Sequence, residues 1–235
     1  MNKIITNIRK ELKKSSDLKT KESSKRFFKE EIKVYGVKSE IVSQIAKKYY
    51  PEIKELKKEG VFKICEELLK SDYCEEAYIV AKWLPKEIKK LEKKDIYIFK
   101  RWIEKYINNW AKCDSFCNNT IGDMITKYPL LAKEVKSWSK SKNIWLKRAS
   151  AVSFIHPVRK GKYLDVAFDI SDTLLLDKED LVQKGYGWLL KEASRKHQKE
   201  VFNYVMRNKK TMPRTSLRYA IELMPEKLRK KAMSK

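Results

Sequence analysis

The chain has 235 residues, of which 55 are Lys or Arg and 31 are Asp or Glu, giving a formal net charge of +24 at pH 7. Hydrophobic residues make up 42% of it and aromatics 11%, enough for a large core and too much for a disordered tail. No stretch approaches the ~18 uninterrupted apolar residues of a membrane span, and an excess of like charge that repels itself in a compact state points to a polyanionic partner, nucleic acid before an anionic membrane.

Only six Gly and six Pro punctuate the chain, and most windows place apolar residues at i, i+3, i+4 and i+7, so nearly all of it is expected to be helical. Met1-Asn2-Lys3-Ile4-Ile5-Thr6 opens into charges and not into a signal-peptide core, which fits a soluble, cytoplasmic protein. The spacing predicts helices over 2–14, 18–34, 39–57, 60–70, 72–84, 86–93 and 95–108. Ser39 and Asp72 read as N-caps, Glu75 completes a capping box with Asp72, and Gly36 and Gly60 read as C-terminal stops. Further helices are expected over 110–127, 129–140, 143–155, 161–175, 178–194, 196–208, 213–222 and 225–233, with Pro129, Pro213 and Pro225 in first-turn positions. His156-Pro157-Val158-Arg159-Lys160-Gly161-Lys162 reads as a turn with a cationic cluster, either a solvated loop or a contact to phosphate.

Short helices on short connections pack as antiparallel pairs. Helices beginning near 110, 143 and 178 recur at intervals of ~33 to 35 residues, the period of stacked helix pairs. The expected architecture is therefore all-α: a single domain over 1–235, an α-solenoid of degenerate HEAT-like pairs with its basic residues on a concave face. The four cysteines include no CxxC pair, and neither His156 nor His197 stands at ligand spacing from one of them. No metal and no cofactor is expected, and the thiols read as reduced and buried.

Trp110 and Asp114 are four residues apart and share a helical face. A carboxylate among aromatics in so basic a chain suits chemistry on a positively charged sugar. Trp83, Trp102, Trp138 and Trp145 sit in apolar-periodic settings and read as core. Lysine runs such as Lys86 to Lys90 read as solvated faces.

Five segments, in order across about residues 20 to 225, resemble the AlkD-type DNA alkylation repair glycosylases. They are Trp110-x3-Asp114-Ser115, Gly122-Asp123, Asn143-Ile144-Trp145-Leu146-Lys147-Arg148-Ala149, Lys184-Gly185-Tyr186-Gly187-Trp188-Leu189-Leu190-Lys191-Glu192, and Met212 to Glu222. The resemblance implies a HEAT-like glycosylase, acting as a monomer, that wraps double-stranded DNA and excises cationic N-alkylated purines such as 3-methyladenine and 7-methylguanine. It also implies that the lesion is not held in a base-specific cavity. Carried over position by position, Asp114 matches the catalytic carboxylate, Trp110 and Trp188 the aromatic pair at the lesion, and Arg148 the active-site arginine, serving either Asp114 or a phosphate. Phe27 stands where family members carry Tyr, and Ala111 departs from a common polar residue. Arg159, Lys162, Lys184, Arg214 and Arg218 are the further expected DNA contacts. The competing expectation is a non-catalytic helical-repeat scaffold that binds nucleic acid or protein, since fold alone does not define chemistry.

Overall fold

The computed structural model describes residues 3–234; Met1, Asn2 and Lys235, which the expected helix 2–14 and the expected domain include, lie outside the described residues. Cα packing divides the chain into an N-terminal unit ending at Phe116 and a C-terminal unit beginning at Cys117.

The N-terminal unit contains α1 (Lys3–Lys14), α2 (Leu18–Lys25), α3 (Ser39–Lys54), α4 (Lys58–Lys70), α5 (Cys74–Trp83), α6 (Ile96–Tyr106) and α7 (Trp110–Phe116). Helices α1, α3, α5 and α7 pack in succession as one layer, while α4 and α6 form the layer behind them. Ile45, Ile53, Leu68, Ile79, Phe99 and Trp102 fill the space between.

The C-terminal unit opens with a π-helical turn (Cys117–Ile121) and continues through α8 (Gly122–Lys127), α9 (Leu131–Ser137), α10 (Ile144–Val152), α11 (Ile155–Arg159), α12 (Leu164–Leu174), α13 (Asp180–Ala193), α14 (Gln198–Asn208), α15 (Arg214–Ile221) and α16 (Glu226–Met233). Here α10, α13 and α15 form one layer, with α9 and α12 packed together behind it. Tyr204 of α14 stacks on Phe168 of α12 with centroids 4.8 Å apart, extending that second layer.

Side-chain bonds between helices mostly reach one helix pair along the chain and no further. Trp83 donates to the Ala46 carbonyl, Lys58 pairs with Asp95, Lys136 with Asp169, and Tyr204 donates to Asp172. Each pair thus leans on its neighbour in sequence, the packing of a solenoid-like helical repeat.

Several expected elements are corrected. The helix expected over 18–34 stops at Lys25, and α2 buries none of its residues. Lys33 instead runs parallel to Tyr73 and its carbonyl accepts Cys74 N–H at 2.9 Å. Glu75 forms no capping box: its buried carboxylate accepts the backbone N–H groups of Tyr35, Gly36 and Val37 at 3.1, 2.9 and 3.1 Å. Asp72 precedes the helix in a left-handed turn (φ 68°), and Ser39 is the first residue of α3 without capping it. Gly60 ends nothing; it lies in the first turn of α4. Gly36 stands in a loop at φ 87°, where a β-carbon would fall 2.7 Å from the Asp17 carbonyl. In place of the helix expected over 86–93 there is a 3₁₀ turn (Leu84–Glu87) begun by Pro85. The cationic turn at 156–162 overlaps a five-residue helix, α11, which admits Pro157 in its first turn and ends at Arg159, with Gly161 at φ 76° two residues on. Trp83, Trp102 and Trp138 are core, at most 1% exposed, whereas Trp145 is half-buried.

Candidate active site

Two buried polar groups fix the start of α7. Asn109 lies where an N-cap belongs, and its side-chain oxygen accepts Lys112 N–H at 3.0 Å. Lys112 is itself buried; its ammonium lies 2.7 Å from the Asp72 carbonyl oxygen, 2.6 Å from Asp72 Oδ1 and 3.0 Å from Asn108 Oδ1. A buried cation is tolerated only when so satisfied, and the contacts pin α7 to the turn before α5. Burial pushes the Asp72 carboxyl up, but the Lys112 ammonium prevails and holds it below the ordinary carboxylate range.

From this base Trp110 and Asp114 stand one turn apart on a half-buried face, while Lys112, Cys113, Phe116 and Cys117 point into the core. The Trp110 ring stacks on Phe28 with centroids 5.3 Å apart and an interplanar angle of 20°. Its indole N–H donates to the Phe27 carbonyl at 3.4 Å. That bond ties down the backbone of Phe27, whose ring is nevertheless 72% exposed. Phe27, Phe28, Tyr78 and Trp110 are among the walls of a pocket of about 330 Å³. The loop that supplies the two phenylalanines is the one whose amides Glu75 gathers, so a buried carboxylate on α5 supports the aromatic surface beside Asp114.

In the C-terminal unit Asn143 caps α10, its side-chain oxygen accepting Trp145 N–H at 2.8 Å and Leu146 N–H at 3.2 Å. One turn on, Arg148 is 5% exposed and lies in the crossing of α10 with α13, where its Nη1 donates to the Leu181 carbonyl. Gly185 makes room for it: a β-carbon there would stand 3.4 Å from Arg148 Cγ. Trp188, half-buried on α13, donates its indole N–H to Glu192 Oε1 at 3.2 Å. Burial works to raise the Glu192 carboxyl, but hydrogen bonds from Arg159 and Arg195 overcome it and set its pKa at about 2.

The structure brings Trp110 and Phe27 together, sets Asp114 one turn from Trp110 on the same side of α7, and places Arg148, Lys184 and Trp188 on the packed pair α10 and α13. Lys184 forms an i,i+4 ion pair with Asp180 at 2.7 Å. Arg159 pairs with Glu192 at 2.6 Å, Lys162 is exposed, and Arg214 and Arg218 are exposed on α15. Glu75, Asn109 and Lys112 in the N-terminal unit and Glu192 in the C-terminal unit hold these side chains in place and are not among the residues the sequence singles out for the site. Asn109 before a helix start and Glu192 four residues after Trp188 are readable signals; the partners of Glu75 and Lys112, some 40 residues away in sequence, are not. In the same unit as Glu192, Asp123 is half-buried near His156; burial pushes its carboxyl up against the opposing charges of His156 and Lys160. Among the described residues no cluster of His, Cys, Asp and Glu is arranged to hold a metal ion, and no helix is long and apolar enough to cross a membrane.

Fold and site together define a helical-repeat protein that carries a carboxylate, exposed and half-buried aromatics, and arginines on its packed helices. Residues 8–224 match the sequence model of the DNA alkylation repair enzyme family, and the chain belongs to that family. Its fold is also that of a predicted DNA alkylation repair enzyme from Enterococcus faecalis, with a TM-score of 0.82 over 90% of this chain and 98% of the other, at 13% sequence identity. No curated protein matches the sequence. Family membership gives the protein a role in DNA repair, with DNA as its substrate.

Proposed function

We propose that the protein is a monofunctional DNA glycosylase, of the AlkD type within its family, that hydrolyses the N-glycosidic bond of cationic N-alkylated purines in duplex DNA. 3-Methyladenine and 7-methylguanine are the substrates, and an abasic site is the product. Alkylation at N3 or N7 already places a positive charge on the purine, so the base leaves neutral without protonation by the enzyme. What remains is the oxocarbenium character that the deoxyribose acquires as the bond breaks. A fixed carboxylate at low dielectric stabilises that charge, and Asp114 is the residue for it. The same carboxylate orients the water that attacks the sugar carbon and accepts its proton. Trp110 and Trp188 offer ring faces to the cationic lesion and sugar, and Arg148 holds the flanking backbone or the Asp114 carboxylate.

The single observation that carries this reading is the geometry of α7: Asp114 one turn beyond a Trp110 that is held between Phe28 and the Phe27 carbonyl. Selectivity follows from the lability of the cationic glycosidic bond, so bulky N-alkyl groups are accepted and neutral lesions are poor substrates. The enzyme works as a monomer in the cytoplasm, with water as the only co-reactant. The test is release of free 7-methylguanine from methylated duplex DNA. Asp114→Asn should abolish release while duplex binding survives; release at an undiminished rate would remove Asp114 from the chemistry, and no release by the wild type would leave the non-catalytic scaffold as the better account.

A further inference from the structure

One cluster in the C-terminal unit meets the chemistry above only through Trp188, and Arg159 and Lys162 within it are the members already expected to touch DNA. Two basic segments, Arg159-Lys160-Gly161-Lys162 at the end of α11 and Arg195-Lys196 after α13, lie side by side. A β-carbon on Gly161 would stand 3.8 Å from Lys196 Cβ, and the His197 ring nitrogen lies 3.2 Å from the Gly161 carbonyl. Glu192 sits between the segments with its side chain 2% exposed, and its Oε2 accepts the Nε–H of both Arg159 and Arg195 at 2.6 Å each. Its other oxygen holds the indole of Trp188.

Two guanidinium groups on one carboxylate oxygen leave the cluster with a net positive charge, and two like charges so close repel. A further anion relieves that repulsion. Each arginine spends only its Nε–H on Glu192; among the described residues neither guanidinium has another hydrogen bond, and the side chains remain 38% and 48% exposed. The Nη edges are left as paired donors that match the oxygens of a phosphodiester. Rotation of either arginine is restrained because its inner nitrogen is bonded to a buried acceptor.

We propose that Arg159 and Arg195 form a clamp for a phosphodiester of the DNA backbone, with Glu192 as the positioning residue that aims both and ties Trp188 to the same carboxylate. The clamp rests on DNA as the substrate and extends the proposed function by linking backbone binding to one of its aromatic residues. Seating a phosphate then changes the setting of the Trp188 indole.

Binding of the full-length protein to an undamaged labelled duplex, measured from about 50 to about 200 mM salt, tests it. Arg159→Ala and Arg195→Ala each leave Glu192 with one arginine, and each should lower the log–log salt slope by about 0.9. Glu192→Gln keeps both positive charges, so its slope should hold while affinity falls about fivefold from the loss of aim, and the Trp188 emission, assigned with Trp188→Phe, should shift. Wild-type affinity and slope in both arginine variants would overturn the clamp, and would do so even where Glu192→Gln fails to fold. A Glu192→Gln protein that folds, binds normally and shows unchanged emission would remove the positioning role. Undamaged duplex reports backbone binding alone, so absence of alkylpurine release by the wild type would sink the glycosylase reading and leave the clamp standing.

Discussion

Gly187 lies against Tyr219 so closely that a β-carbon on it would sit 2.8 Å from Tyr219 Cβ and 3.0 Å from the Ser216 carbonyl oxygen. Helices α13 and α15 form the most extensive helix contact of the C-terminal unit, and the missing side chain is what permits it. Alanine would gain about 1 kcal/mol of helix propensity there, but the obstructing atoms include backbone and cannot swing aside. Overpacking of this kind costs ~1–3 kcal/mol. Gly187→Ala should therefore lower the urea midpoint. Gly60→Ala, where only the Leu56 side chain stands nearby at 3.4 Å or more, should raise the midpoint, with stability up by at most about 1 kcal/mol. A Gly187→Ala protein as stable as the wild type would show that the crossing has room to spare.

The two glycines of the Lys184-Gly185-Tyr186-Gly187-Trp188 segment show where reading a sequence ends. Their presence is plain, but Gly185 serves Arg148 and Gly187 serves Ser216 and Tyr219, partners about a repeat away along the chain. Local periodicity is sufficient for α7 and α10, because their starts carry Asn109 and Asn143 and their apolar faces repeat. It fails over 26–38, where Phe28, Ile32 and Val34 look helical in spacing yet pack as an extended segment on Cys74 and Tyr78. There the deciding group is Glu75, which captures three backbone amides from a distance. Asp114 and Trp110 are legible as a pair sharing one face, and Phe28 as the ring under Trp110 is not.

Trp110 and Asp114 should differ sharply in what their removal costs. A ring face offers a cation on the order of 0.5–2 kcal/mol, a few-fold to some tens-fold in rate. The carboxylate stabilises a full developing charge and should count for roughly 10²-fold or more. In single-turnover release of 7-methylguanine, Trp110→Ala should lose no more than some tens-fold, well short of Asp114→Asn. A Trp110→Ala loss equal to that of Asp114→Asn would place the main stabilisation on the aromatic face.

Glu75 supports the loop that bears Phe27, and its loss should be felt there first. In Glu75→Gln one acceptor oxygen becomes a donor facing the amides of Tyr35, Gly36 and Val37. Leaving a buried donor unpaired costs ~1–3 kcal/mol, so a drop of at least ~2 kcal/mol in stability is expected. Hydrogen exchange should speed up at residues 35–37 before it does in α4 or α6. Protection at those amides equal to wild type would mean that the isolated bridge between Lys33 and Tyr73 holds the loop by itself.

Acid should reveal Glu192. Its carboxyl titrates at about 2, below the ordinary 4.5, because Arg159 and Arg195 outweigh the upward push of burial. A carboxyl with a lowered folded pKa contributes stability that is fully present above its unfolded value and is lost as pH falls through the folded one. The window here runs from about 4.5 down to about 2. Urea midpoints of the wild type should fall across it more steeply than those of Glu192→Gln, and the two curves should converge at its acidic end. Glu92 also titrates at about 2, through Lys58 and Lys94, but its side chain is 53% exposed and its ion pairs are screened by water. Glu92→Gln should consequently leave the slope close to that of the wild type. If all three proteins lose stability in parallel, the two arginines are not held on Glu192 in the folded state.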